Sequence, residues 1–167
     1  MLYLKAADFA DAEQIYRFVT AVPEDENGFT NPDFGCSYET FCENVLPKYL
    51  NSAKGIGLPD GWVPCTEYFL WADDTIVGWF RLRHYLSESL AAGSGHIGYA
   101  IGREHRGKGY GTEGLRLMLE IAREKVPEDE IYLRVLKSNP ASLKVMLKNG
   151  AYIHHEDGKH ILTRIKK

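Results

Sequence analysis

The chain has 167 residues, 26% of them charged and 44% hydrophobic, with a formal net charge of -3. That length holds one domain with a real hydrophobic core, residues 1–167, and is short for two; the charge balance excludes a disordered chain and a generally basic, nucleic-acid-seeking one. Three cysteines without C-x-x-C spacing, and no apolar run long enough to span a bilayer, exclude a disulfide framework and a transmembrane helix and lead us to expect a cytoplasmic setting.

In chain order, Leu2 to Lys5 is a short strand candidate. Asp8 can then cap a helix whose apolar positions Phe9, Ala12, Ile15 or Tyr16, and Val19 recur near helical period. Pro23 helps to end it. Residues 24–35 carry turn chemistry with few packing residues, and Ser37 offers a cap for a second helix through roughly Leu50, which Pro47 should kink or divide. A Gly-rich loop at 54–61 leads to Cys65–Ala72 and Thr75–Leu82, two apolar runs joined at Asp73-Asp74 as an antiparallel hairpin. After a further loop, His96 to Ile101 reads as a strand, and Gly109 to Val126 as a helix with Leu115, Met118, Leu119, Ala122 and Val126 on one face. Ile131 to Leu136 is another strand. Asn139-Pro140 starts a helix with Asn as cap and Pro at the first position, and Gly150 suits its end. Ala151–His155 and Lys159–Ile165 flank Asp157-Gly158, a hairpin signal. The order β-α-α-β-β-β-α-β-α-β-β describes an α/β (α+β) chain: a mixed sheet with helices against its faces.

The informative segment runs from His96 through Arg106-Gly107-Lys108-Gly109-Tyr110-Gly111-Thr112. Alternating glycines permit positive φ and close backbone approach, the first amides of the following helix lack partners, and the helix dipole favours an anion there. Arg106 and Lys108 strengthen that preference, so a pyrophosphate can be held without a metal. Three motifs compete. Gly109 to Gly114 matches the dinucleotide fingerprint G-x-G-x-x-G, but seven residues separate it from its strand, and the next strand ends in Arg134, Lys137 and Ser138, where that motif wants an acidic residue. Gly102 to Gly109 nearly matches the P-loop, but Gly109 replaces the hydroxyl that would hold Mg²⁺. The third pattern, [RQ]-x-x-G-x-[GA], is met by Arg106, Gly109 and Gly111. With the preceding strand, the amphipathic helix, the next strand and Asn139-Pro140-Ala141-Ser142 opening a second helix, it resembles the GNAT superfamily of acyl-CoA-dependent N-acetyltransferases.

That resemblance implies a central mixed sheet of about seven strands flanked by about four helices, with acetyl-CoA as cosubstrate and no metal. It puts the diphosphate on amides of Gly107, Lys108, Gly109, Tyr110, Gly111 and Thr112, with Arg106 setting the turn. The pantetheine arm would meet the backbone near Ile101 and Arg103, and Asn139 and Ser142 on its far side. Asn139 has the simpler use of a helix cap, and a catalytically inactive CoA-binding regulatory module would keep the same turn. His96, beside the splayed strand, is the first choice for a base. Tyr99, on the opposite strand face by parity, is a separate candidate for substrate or thioester contact. Met146 stands where many relatives carry a proton-donating Tyr, leaving Ser142, Tyr152, water or an unaided thiolate.

The expected partner is a small-molecule or peptide amine, with no nucleic acid and no membrane, and with room for a homodimer. Its binding region is expected at the loop between the first two helices, with residues 54–64 as a second wall. Glu24, Asp25, Glu26 and Asp33 could attract a cationic amine or simply form a solvated acidic loop. Trp62, Tyr68, Trp71 and Trp79 could line a pocket or pack in the core.

Overall fold

The computed structural model describes residues 1–167. Four strands, β1 (Leu2–Ala6), β4 (Cys65–Ala72), β5 (Thr75–Arg83) and β6 (Ile97–Ile101), form an antiparallel sheet in the order β1-β4-β5-β6. Three more, β7 (Glu130–Leu136), β8 (Tyr152–Glu156) and β9 (His160–Lys166), form a second antiparallel sheet in the order β7-β9-β8. The two sheets share one isolated bridge, Gly95 with Leu133, backed by the His96 amide donating to the Tyr132 carbonyl at 2.8 Å. The seven large strands anticipated from sequence are all present, but as a four-plus-three arrangement whose ladders are all antiparallel. Beyond the bridge β6 and β7 share no ladder, and a cavity of about 90 Å³ lies between them.

Both faces of the first sheet are covered, which explains why β4 and β5 read as near-continuous apolar runs. One face packs Tyr68, Leu70, Val77, Phe80 and Leu82 against Leu115, Met118, Leu119 and Ala122 of helix α5 (Tyr110–Lys125). The other packs Phe69, Trp71 and Trp79 against Ile15, Phe18 and Val19 of α1 (Ala12–Ala21) and against Leu46 and Tyr49 of α3 (Leu46–Ala53). Tyr68, Trp71 and Trp79 are thus core residues, whereas Trp62 is 69% exposed. At Gly114 the helix lies so close to the sheet that an added Cβ would sit 2.5 Å from Phe80 Cζ and 2.8 Å from Leu70 Cδ2.

Local chemistry explains the punctuation. Asp8 accepts from the Asp11 amide at 3.0 Å, opening a 3₁₀ turn (Phe9–Asp11) before α1. Ser37 caps α2 (Tyr38–Thr40) by accepting from the Thr40 amide. Pro47 does not break the second helical segment; the chain passes through a π turn (Phe41–Val45), with the Leu46 amide donating to the Phe41 carbonyl, and continues as α3. Widening the turn is one way to absorb a proline that brings no amide hydrogen.

A short helix and a two-stranded hairpin were not anticipated. Ser87 caps α4 (Glu88–Ala92) inside the loop before β6. Residues 24–35 are not bare turn: β2 (Asp25–Glu26) and β3 (Phe29–Thr30) form a hairpin across Asn27-Gly28, both at positive φ, the signature of a tight two-residue turn. Phe29 anchors it edge-on to Trp79, and the buried Asn31 amide donates to the Val19 and Val22 carbonyls at 2.7 and 2.6 Å. The last helix, α6 (Pro140–Lys148), starts on Asn139, whose Oδ1 accepts from the Ser142 amide at 3.3 Å.

Candidate active site

The turn between β6 and α5 is a row of main-chain donors. Gly107 and Gly109 sit at φ of 76° and 83°, a region that penalises any Cβ, and Gly109 is the cap of α5. No amide from Gly107 to Thr112 donates to an acceptor within the protein; the first paired one is Glu113, bonded to the Gly109 carbonyl. Six adjacent donors at the positive end of a helix dipole form a site for a polyanion.

Arg106 holds this turn in place. Its Nε donates to the Ile101 carbonyl at 3.1 Å and its Nη2 to Glu26 Oε1 at 2.6 Å, while Arg103 reaches Glu26 Oε2 at 3.3 Å. Glu26, only 8% exposed, therefore clasps the β2–β3 hairpin to the turn. Its sequence context suggested a solvated acid, because no local pattern reveals a partner 80 residues away.

A cleft of about 470 Å³ runs from these amides between α5 and α6. Ile101, Arg106, Gly107, Gly109, Tyr110, Gly111, Thr112, Asn139 and Ser142 line it, so most of the residues expected to meet a cofactor share one wall system. Lys108 is exposed and Arg103 lies on the reverse of the turn, facing a different cavity; neither side chain lines the cleft. Lys144 and Lys148, one helical turn apart on α6, add cations to its opposite wall and were not singled out from sequence. Asn149 fixes the cleft's width by donating to the Thr112 and Val145 carbonyls at 3.1 and 2.9 Å.

The inner end of the cleft meets the small cavity between β6 and β7 at Tyr99 and Ser142, which line both. The Tyr99 hydroxyl lies 2.8 Å from Ser142 Oγ and donates to the Ser142 carbonyl at 3.2 Å. Burial pushes the Tyr99 phenol up to about 12, so it keeps its proton at neutral pH. Met146 is buried beside it and accepts from the Thr163 hydroxyl at 3.4 Å; it lines only the inner cavity.

Residues 2–152 match the family model described as an acetyltransferase (GNAT) domain. The chain belongs to the GNAT acetyltransferase family. A probable N-acetyltransferase of Bacillus subtilis (strain 168), YjcK, is 30% identical over 90 residues. Those residues are 54% of this chain and 47% of that protein, so the match takes in about half of the relative's length. Among solved structures, a probable acetyltransferase superposes with a TM-score of 0.71 at 18% identity, covering 99% of this chain and 93% of that one. The Campylobacter jejuni N-acetyltransferase PseH, solved in complex with acetyl coenzyme A, superposes with a TM-score of 0.64 at 16% identity, covering 100% and 99%. At such identities the likeness establishes the GNAT fold.

Within this GNAT fold the expected histidine base is not where the spacing put it. His96 lies one residue before β6 and is fully buried, and it lines neither the cleft nor the inner cavity. Its Nδ1 accepts from the Tyr132 amide at 2.9 Å, so the proton must be on Nε2, which donates to Glu128 Oε2 at 3.0 Å. Burial, only partly offset by Glu128, lowers its pKa. A neutral ring with both nitrogens engaged ties β6 to β7 at the sheet junction and has no open face for a substrate. Tyr152, the other named alternative, donates to Glu130 at 2.5 Å on the exposed strand β8, away from the cleft. The histidine that does line the inner cavity is His160, at the start of β9, which sequence order hid by placing it 61 residues after Tyr99. No helix is long and apolar enough to cross a membrane.

Proposed function

We propose that the chain transfers the acetyl group of acetyl-CoA to a primary amine. The observation that carries this is the join of two features: six unpartnered amides at one end of the cleft, and a protonated Tyr99 at the other, where the cleft opens onto the gap between the sheets. The residues fit the carrier. The amides of Gly107 to Thr112 would receive its diphosphate, with Lys144 and Lys148 adding positive charge, and Asn139 and Ser142 would flank its pantetheine arm. Gly111 adds tightness, since a Cβ there would lie 3.4 Å from Val145 Cγ2.

Acetyl-CoA supplies an activated carbonyl and a thiolate leaving group. The chain's part is to move protons around that centre. Tyr99 Oη holds a proton at the junction and can release it toward the departing sulfur, with Ser142 Oγ at 2.8 Å placed to relay its replacement. His160, on the wall of the inner cavity, takes over the role of base for the incoming ammonium that spacing had suggested for His96.

The decisive experiment titrates acetyl-CoA, CoA, ATP and NAD against the purified protein, then follows thiol release over a panel of amines. Preference for ATP or NAD would overturn the assignment. Tight CoA binding with no thiol release from any amine would instead identify an inactive CoA-binding module.

A further inference from the structure

On the face of the first sheet opposite α5, a second cavity of about 380 Å³ lies among α3, α4, the 61–63 loop and the ends of β4 and β5. Its charges do not balance. Glu67 is spent: its two oxygens accept from Arg81 Nε at 2.8 Å and Trp79 Nε1 at 2.6 Å. Asp33 accepts from the Tyr49 hydroxyl at 2.9 Å and has Lys48 at 3.9 Å. Cys65 is no counter-anion, because burial pushes its thiol up to about 12, and burial likewise keeps the Tyr49 phenol protonated.

Arg83 is left over. Its guanidinium, partly buried on the cavity wall, has one protein acceptor, the Gly95 carbonyl at 3.2 Å, and no carboxylate within ion-pair distance. Arg134, on β7, lines the inner cavity rather than this one; it also lacks a carboxylate and reaches only Ser94 Oγ at 3.2 Å. The turn at 93–95 is therefore flanked by two guanidinium groups without counter-ions. Most of the five donors of Arg83 are therefore open to the solvent of the cavity, since no buried side-chain nitrogen lacks a partner, and its planar fork suits a carboxylate or phosphate. The hydroxyls of Ser87 and Ser89, 3.1 Å apart on the rim, could add donors to the same group.

The placement links this cavity to the reacting centre. Arg81 pairs with Gly98, a wall residue of the inner cavity, and the Arg83 amide donates to the His96 carbonyl at 2.8 Å, level with a point three residues before Tyr99. At ~3.4 Å per strand residue the two backbone levels are roughly 10 Å apart along β6; the Tyr99 ring stacks on Phe80 on the other face of the sheet, so an acceptor would reach it through the gap between β6 and β7.

We propose that the amine acceptor carries an anionic group, carboxylate or phosphate, several atoms from its nitrogen, and that Arg83 binds that group and sets specificity. This rests on the amine-acetylation reading, and it disfavours polyamines, which carry only positive charge. Of the acids of residues 24–33 that could have drawn a cation, Glu26 is held by two arginines and Asp33 by Tyr49 and Lys48, while Glu24 and Asp25 are exposed and line neither this cavity nor the inner one.

The test uses acetyl-CoA and matched acceptors: 6-aminohexanoate against its carboxamide, 6-aminohexyl phosphate against 6-aminohexanol, and spermidine. The anionic member of at least one pair should show kcat/KM about tenfold or more above its neutral partner, with the better pair telling carboxylate from phosphate. Arg83→Gln should abolish that preference while leaving the neutral amines and acetyl-CoA affinity unchanged, and Arg83→Lys should restore part of it. Equal turnover of both members, faster turnover of spermidine, or a preference that survives Arg83→Gln in a folded variant would overturn the proposal. Direct titration of the anionic probes separates this from failure of the acetylation reading: saturable binding lost in Arg83→Gln supports the anion site even without turnover, and no binding to the wild-type protein ends it.

Discussion

The cleft at the head of α5 and the cavity at Arg83 lie on opposite faces of the same sheet and are built from different materials. The first is a contiguous run of main-chain amides, residues 107–112, presented by two left-handed glycines and a helix start. The second is assembled from side chains of β4, β5, α3, α4 and two loops, with its charge decided by which carboxylates are already engaged. A backbone site depends on local conformation and so can be shared by a whole family. A side-chain site depends on distant residues meeting, and it is where one member can differ from the next.

That contrast can be broken or sharpened by substitution. The largest effect is expected at Gly109→Val: a β-branched residue at φ 83° disturbs the row of amides, and acetyl-CoA affinity should fall about 100-fold, or ~2.7 kcal/mol, by calorimetric titration. Because no heavy atom lies within 4 Å of the added Cβ, the thermal unfolding transition should remain cooperative. Unchanged affinity would remove the main-chain site from the cofactor.

Next comes His96→Ala, expected to lower stability by ~2 kcal/mol through a vacated buried site and an unpartnered Tyr132 amide, measured by denaturant unfolding. The pH dependence distinguishes this from catalysis. With the folded pKa lowered, the unfolded chain binds more protons, so stability falls as pH drops through ~6.5 toward the depressed folded value and is fully present above it. The variant should lack that dependence, while its pH–rate profile keeps the wild-type shape; a lost ionisation in that profile would return His96 to the mechanism.

Tyr99→Phe should reduce kcat by about tenfold or more, ~1.4 kcal/mol, with little change in KM for acetyl-CoA, as loss of a proton donor requires. An unaltered kcat would mean that the thiolate leaves without help. The smallest effect is expected at Gly114→Ala, where helix propensity gained offsets part of the strain of a methyl pressed on Phe80 and Leu70; a net loss of ~1 kcal/mol in unfolding free energy would fit.

Much of the frame was legible. Alternating and helical apolar periods located all seven large strands, α1, the second helical segment, α5 and α6, because each buries a face whose spacing repeats every two or 3.6 residues. The hairpin at 25–30 was overlooked because its packing rests on one residue, Phe29, against Trp79. The left-handed glycine turn before α5 and the asparagine cap at 139 were also legible, since both are local.

His96 shows where that legibility stops. Strand parity correctly separated it from Tyr99, yet its role depended on Glu128 and Tyr132, more than 30 residues away, meeting its two nitrogens. His160, Glu26 and Arg83 became informative for the same reason.

The amino-acid order alone therefore determined the large elements, the family and the left-handed glycine turn that opens α5, because periodicity, capping and glycine conformation act over a few residues. Only the tertiary structure decided which histidine is walled in, which acids are already paired and which arginine is left without a counter-ion, because burial and charge pairing are set by residues that the fold brings together from far along the chain.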